Sequence, residues 1–191
     1  NCIDLENCLI SFGDELSVIA IASSLTSDDI SIEEYEWISN IDGLVSSSLN
    51  LSTTDLSLGS HTLTFRAKNS VGFWSANASL SIVVNAVPTI ELDSINPNPV
   101  IAGEESQITV TGLDEDENDI LTFFWSTDTV TLFNDENKAL FSTQSTDQGD
   151  HIISVYVEDS KGAKSNVLNI TISIISQPSV ELLCDPEIEI N

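Results

Sequence analysis

The chain has 191 residues, of which 41% are hydrophobic, so it is long enough to bury a core and too apolar to be disordered throughout. It carries 31 Asp and Glu against 5 Lys and Arg, a formal net charge of -26, which repels nucleic-acid phosphates and anionic lipid headgroups. Composition therefore argues against nucleic-acid binding, and no apolar run approaches the roughly 18 residues that predict a membrane span.

The N-terminal region contains two of three cysteines. Cys2 and Cys8 are close enough in sequence to form a disulfide that closes an N-terminal loop in an oxidising compartment, and Cys184 would then have no partner within the chain. The alternative is three unpaired thiols. We predict at least one disulfide, because an acidic chain rich in Ser and Thr has an extracellular character. The chain starts at Asn1 and contains no Met, which favours a mature form or an excised segment.

Apolar residues then recur at every second position, the period of a strand buried on one face. The pattern begins at Val18 and Ala20, and it continues at Tyr35 and Trp37, at Leu63, Phe65 and Ala67, and at Leu80, Ile82 and Val84. Turn-forming Gly, Asn, Asp and Ser separate these runs, and no segment shows helical spacing. The first half of the chain is therefore predicted to be all-β.

The same pattern returns about 90 residues later. Gly13, Gly59 and Gly72 correspond to Gly103, Gly149 and Gly162, and buried positions are predicted at Ile108, Val110, Phe123, Trp125, Ile153, Val155, Val157, Ile170, Ile172 and Ile174. We predict two copies of one antiparallel two-sheet sandwich, at 1–86 and 87–176, with Trp37 and Trp125 in the core and Trp74 outside it. Residues 177–191 are interpreted as the start of a third module or as a C-terminal assembly strand.

Several short motifs carry a family resemblance. Tyr35-Glu36-Trp37, Asp42-Gly43, Leu58-Gly59-Ser60-His61 and Asn69-Ser70-Val71-Gly72 resemble the PKD family, and the second copy resembles it across 113–125 and 149–162. The WDFGDG signature of that family is absent at both Trp37 and Trp125, so the chain resembles a divergent member or one of the neighbouring immunoglobulin-like families that share the strand order. The resemblance implies tandem immunoglobulin-like β-sandwiches that serve as extracellular spacers, adhesion modules or accessory domains.

The sequence does not predict an enzyme. Its two histidines, His61 and His151, occupy the same place in the two copies, so a structural hydrogen bond is favoured over catalysis or metal binding. Nucleophile-elbow, zinc-protease and phosphate-loop motifs are absent from the sequence.

Calcium is the one cofactor that the sequence suggests. Asp114, Asp116, Asn118 and Asp119 concentrate hard oxygen ligands before a strand, and the first copy offers Asp28 and Asp29 in the equivalent loop. EF-hand spacing is not completed, and a solvated acidic turn is the alternative.

The predicted function is a non-enzymatic spacer, adhesion or assembly segment of a cell-surface or secreted protein. Its partners would be other proteins, cell-surface components or further copies of the chain. One alternative is an accessory, substrate-engaging region of a secreted hydrolase, for which Trp74 is the candidate exposed aromatic. Another is a fibre or surface-layer subunit joined by strand addition. Sequons at Asn50, Asn77 and Asn169 permit N-glycosylation.

Overall fold

The computed structural model describes residues 8–24, 30–116, 119–127, 131–144 and 147–182. Within these ranges the chain forms fifteen strands and no helix, which confirms the all-β prediction. The same ranges accordingly hold no helix with the length and hydrophobicity to cross a membrane.

The strands fall into two sets of similar order along the chain. The first set is β1 (Cys8–Ser11), β2 (Leu16–Val18), β3 (Ile32–Ser39), β4 (Gly43–Ser46), β5 (Leu51–Thr53), β6 (Gly59–Asn69) and β7 (Ala78–Asn85). The second set is β8 (Thr89–Asn96), β9 (Val100–Ile101), β10 (Glu105–Leu113), β11 (Thr122–Thr127), β12 (Thr131–Asp135), β13 (Lys138–Ser142), β14 (Gly149–Glu158) and β15 (Leu168–Ile175).

Spatial packing divides the chain into two compact units. Unit 1 comprises Asn1–Thr89, Leu113–Thr122 and Glu158–Ser165, and unit 2 comprises Ile90–Gly112, Phe123–Val157 and Asn166–Asn191. The loops that follow β10 and β14 therefore belong to unit 1.

Unit 1 contains a five-stranded sheet in the order β1-β7-β6-β3-β4 and a two-stranded sheet of β2 and β5. β1 runs parallel to β7, whereas β3, β4, β6 and β7 pair antiparallel. The predicted alternation is confirmed in β6, where Leu63, Phe65 and Ala67 are buried. These side chains pack with Trp37 and Leu51 in one hydrophobic core.

Unit 2 contains two four-stranded sheets, in the orders β12-β13-β10-β8 and β11-β14-β15-β9. β9 pairs parallel with β15, as β1 does with β7. The predicted inward positions of β10, β14 and β15 are all buried, so the two-residue period located this core as well. Trp125 is only partly buried against it.

The first predicted strand is shorter than expected. β2 ends at Val18, so Ala20 lies outside a strand, although both residues pack against the core. β2 pairs with β5, which has only three residues, and the Ala20 N–H is donated instead to Asn50 Oδ1 at 3.2 Å. Beyond this point the chain exposes Ile21, at 91%.

His61 has the structural role that the sequence predicted. Its side chain is buried, and Nε2 lies 2.7 Å from the Ser57 carbonyl, so Nε2–H is the donor. Ser39 Oγ accepts the N–H groups of Ile41 and Asp42 and therefore donates its own hydrogen to His61 Nδ1 at 2.8 Å. The imidazole thus connects β6 to the end of β3 and to the loop that precedes β6.

Replacing His61 by Leu is expected to lower the free energy of unfolding by about 1–3 kcal/mol, because the buried Ser39 hydroxyl and the Ser57 carbonyl, whose bond is part-buried, both lose their partner. Denaturant unfolding followed by circular dichroism measures the change. Ser60→Ala, at the exposed neighbouring position of β6, should stay within about 0.5 kcal/mol of the parent. Equal stability of the two variants would contradict the assigned role.

Candidate metal site

Three segments of unit 1 bring oxygen-bearing side chains together, an amide from the first and carboxylates from the other two. The first is the end of β7 at Asn85, the second is the loop after β10, and the third is the turn after β14. We call Asp114, Asp116, Asp119 and Asp159 the acidic loop cluster.

The predicted loop supplies three carboxylates of this cluster. One oxygen each of Asp114, Asp116 and Asp119 lies within 4.8 Å of the other two. Oxygens bound to one Ca²⁺ sit about 2.3–2.6 Å from the ion, so opposite ligands are about 5 Å apart. The three oxygens are therefore spaced closely enough to share an ion. Asn118, Asp28 and Asp29, the other predicted ligands, lie outside the described residues.

Asp159 contributes the fourth carboxylate through the geometry of its turn. Its Oδ1 accepts the N–H groups of Lys161 and Ala163 at 2.9 and 2.8 Å. Asn69 caps the equivalent turn of the first half with its Oδ1 in the same way. Asp159 has a second oxygen where Asn69 has an amide nitrogen, and this Oδ2 accepts from Asn85 Nδ2 at 2.7 Å.

Two buried oxygens beside the cluster have no hydrogen-bond donor within the described ranges. Asn85 is 2% exposed; its Nδ2 donates to Asp159 and to the Ala86 carbonyl, and its Oδ1 is left without a partner. Asp114 Oδ2 is likewise buried and has no hydrogen-bond partner among the described residues. Buried oxygens in proteins nearly always accept a hydrogen bond from a protein group or a water, or bind an ion, so each of these two oxygens can take one further partner.

Lys161 partly neutralises the cluster. Its Nζ lies 2.7 Å from Asp119 Oδ2 and 3.1 Å from Asp116 Oδ2. Ser160 Oγ donates to Asp119 Oδ1, and the Ala86 N–H donates to Asp116 Oδ2 at 3.0 Å. The one ammonium group thus pairs with two of the four carboxyl groups of the cluster.

The pKa shifts follow from this imbalance. Hydrogen bonds from Lys161 and Ser160 lower the pKa of Asp119, and the bond to Asp119 in turn raises the pKa of Lys161. Burial raises the pKa of Asp114, and repulsion from neighbouring carboxylates adds to it, while the hydrogen bond from the Asp116 N–H opposes the shift. Negative charge is therefore least compensated at Asp114, next to its unpartnered oxygen.

Sequence reasoning missed Asn85, Asp159 and Lys161 as members of this site. The internal repeat held a usable signal, since Asp159 replaces Asn69 at the same turn position and adds a carboxylate there. Nothing local marks Asn85, whose partner Asp159 is 74 residues away.

The other predicted sites are distributed over the surface and the core. Cys8 is buried and disulfide-bonded, while Cys2 and Cys184 lie outside the described residues, so the pairing stays a prediction. The three sequon residues are exposed, as glycosylation requires: Asn50, Asn77 and Asn169.

Trp74 is not a bare aromatic platform. The Arg66 guanidinium lies 4.3 Å from the centre of its ring, and Lys68 Nζ lies 5.5 Å away. Both cations are also paired, with Glu36 and Glu34. This cation–π arrangement covers the ring that was the candidate for carbohydrate stacking.

Sequence reasoning also overlooked an aromatic pair in unit 2. Phe124 and Tyr156 stack with their ring centres 4.9 Å apart, and Phe124 is 40% exposed. The period of two had placed these residues on the outward face, but it did not identify them as neighbours.

No family model and no curated protein sequence matches the chain. Among solved structures, the N-terminal eight Ig domains of Down Syndrome Cell Adhesion Molecule (DSCAM) are similar, with a TM-score of 0.60 and 15% identity over 90% of this chain and 23% of that one. Extracellular domains 3-5 of Drosophila OTK give a TM-score of 0.56 and 13% identity over 90% and 60%. The three N-terminal domains of the bacteriophage RB49 capsid protein Hoc give 0.50 and 11% over 92% and 69%.

These similarities define the class of fold. The chain consists of tandem immunoglobulin-like antiparallel β-sandwiches, as the resemblance implied. It spans less than two thirds of the DSCAM and OTK chains.

Proposed function

We propose that the chain is a non-enzymatic, extracellular segment of a cell-surface or secreted protein, and that it binds Ca²⁺ at the acidic loop cluster. It is built from two divergent PKD-like modules, at 1–86 and 87–176, with 177–191 opening a third module or forming an assembly strand. The segment acts as a spacer, adhesion or assembly element whose partners are other proteins, cell-surface components or copies of itself.

The unsatisfied oxygens at the acidic loop cluster carry the calcium proposal. Asp114 Oδ2 and Asn85 Oδ1 are buried without donors, next to carboxylates close enough to share an ion. Together with Asp116, Asp119 and Asp159 they offer at least five oxygen-bearing side chains of the hard type that Ca²⁺ binds in sets of six to eight. A cluster with four carboxyl groups and one Lys has the charge to take a divalent cation.

Calcium fits this donor set better than magnesium. Mg²⁺ demands a near-regular octahedron, and it keeps several waters. The cluster instead offers many side-chain oxygens from three separate segments, an irregular arrangement that suits the larger ion. Bound Ca²⁺ would tie these segments together and stabilise unit 1.

Thermal unfolding with and without Ca²⁺ tests the proposal. At a calcium concentration 100 times the Kd, binding adds about 2.7 kcal/mol, which raises Tm by several degrees. We expect Mg²⁺ to have a much smaller effect and Asp116→Ala to lose the calcium response, because the variant lacks one of the ligands.

A matched variant separates binding from a general charge effect. Asp55→Ala removes one exposed carboxylate of unit 1 outside the cluster, and it should keep the full calcium response. A parent protein whose Tm does not respond to Ca²⁺, or an equal loss in both variants, would rule out the site.

A further inference from the structure

We propose that Lys161 is an exchangeable internal cation, whose ammonium group occupies the metal-free site and must leave Asp116 and Asp119 before Ca²⁺ can bind. Lys161 then sets the calcium affinity of the site by competition. This inference rests on the proposed calcium function and names the residue that controls it.

The competition follows from shared carboxyl groups. Lys161 Nζ lies 3.1 Å from Asp116 Oδ2 and 2.7 Å from Asp119 Oδ2, on two of the carboxyl groups that would hold the ion. An ion bound to both carboxyl groups would lie within a few ångströms of the ammonium group, where two like charges repel strongly. Both cations cannot occupy the carboxylates at once.

The ammonium group is an incomplete ligand for this site. It has three donors, and its contacts here are with Asp116 and Asp119. Asp114 Oδ2 and Asn85 Oδ1 stay without a partner while Lys161 is in place. A divalent ion with six to eight coordination positions can satisfy oxygens that the single ammonium group leaves out.

Lys161 can leave without unfolding its turn. Its backbone N–H is held by Asp159 Oδ1 at 2.9 Å, independently of the side chain. The side chain itself is 32% exposed, so Nζ has a path to solvent. Exchange therefore moves one flexible side chain and leaves the ligands where they are.

Calcium titration of Lys161→Gln by calorimetry tests the competition. The variant should bind Ca²⁺ roughly 3–10 times more tightly than the parent, as expected when a partly exposed ion pair no longer has to be broken. Its metal-free form should have a lower Tm, because the carboxylates lose their counterion. Lys161→Arg keeps the positive charge and should return the affinity towards that of the parent.

Lys164→Gln is the matched control. Lys164 lies three residues along the same turn and pairs with Glu158 at 3.3 Å, outside the acidic loop cluster. Its removal changes the net charge by the same amount, so it should leave the calcium affinity near that of the parent. Equal tightening in both variants would reduce the effect to overall charge and overturn the proposal.

Chemical acetylation of the parent protein follows the exchange directly. Release of the Lys161 amine from its carboxylates should increase its labelling several-fold when Ca²⁺ is added, as read by mass spectrometry with Lys164 as the internal reference. Labelling of Lys161 that stays constant or falls while Ca²⁺ raises Tm would overturn the exchange.

The outcomes distinguish this inference from the proposed function. If the parent responds to Ca²⁺ but Lys161→Gln has unchanged affinity, the site is real and the exchange is wrong. If only Lys161→Gln responds, the proposed calcium function fails for the parent protein, and the competition is supported because the native lysine excludes the ion. If neither protein responds, both proposals fail.

Discussion

Replacing Trp37 by Ala is expected to lower the free energy of unfolding of unit 1 by about 3–5 kcal/mol. Trp37 is 3% exposed, its ring lies 4.7 Å from that of Phe65, and its indole N–H is donated to the Leu49 carbonyl at 3.3 Å. The substitution opens a cavity between the two sheets and leaves that carbonyl without its donor. Because domains are stable by only about 5–15 kcal/mol, much of unit 1 would unfold at moderate temperature.

Trp125→Ala provides the comparison within the same chain. Trp125 has a similar hydrogen bond, to the Glu136 carbonyl at 3.0 Å, but its side chain is only partly buried. We expect a loss of about 1–2 kcal/mol, because less apolar surface returns to water. Circular dichroism during denaturant unfolding measures both variants without relying on tryptophan fluorescence. A Trp125 variant as unstable as the Trp37 variant would show that burial does not set the difference.

The two tryptophans show which structural features the alternating pattern can predict and which it cannot. Alternation assigns each residue to a face of its strand, because side chains on a strand point to opposite sides in turn. It therefore identified the buried faces of β6, β14 and β15 from local sequence alone. It could not rank Trp37 above Trp125, since the depth of burial depends on the opposite sheet. It also could not place the end of β2, which depends on the length of its partner β5.

The candidate site divides in the same way. Asp114, Asp116 and Asp119 are neighbours in one loop, so their common location was predictable from composition. Asn85 and Asp159, which are 74 residues apart in the chain, reach them only through folding. The role of Lys161 could not be predicted either, because a single lysine in the turn after a strand has the same sequence pattern as an ordinary solvent-exposed lysine.

Asp114→Asn is expected to stabilise the metal-free protein and to abolish its stabilisation by Ca²⁺. The Asp114 carboxylate is held in a desolvated place near Asp116, Asp119 and Asp159, which raises its pKa. An amide removes that repulsion, and its oxygen can still accept the Asp116 N–H that Asp114 Oδ1 accepts at 2.8 Å. With calcium at 100 times the parent Kd, the variant loses the gain of about 2.7 kcal/mol.

The pH dependence of this effect has a definite sign. A carboxyl group with a raised pKa in the folded state binds its proton more readily there than in the unfolded chain, so its contribution to stability falls as pH rises. The cost is fully present above the folded pKa of Asp114, and it is relieved as pH drops through that pKa towards the ordinary value of 3.8. The metal-free advantage of Asp114→Asn should therefore be largest at neutral pH and disappear in acid.

Thermal unfolding of parent and variant is measured once with chelator and once with calcium, and the order of the two Tm values should reverse between the two conditions. The variant should have the higher Tm in chelator and the lower Tm in calcium, because the same carboxylate opposes folding of the empty site and binds the ion. Asp55→Asn, which also removes one charge from unit 1, should leave the calcium response unchanged. A lower Tm of Asp114→Asn in chelator would show instead that Lys161 and the local hydrogen bonds already compensate Asp114, and that the empty cluster is not strained by its charge.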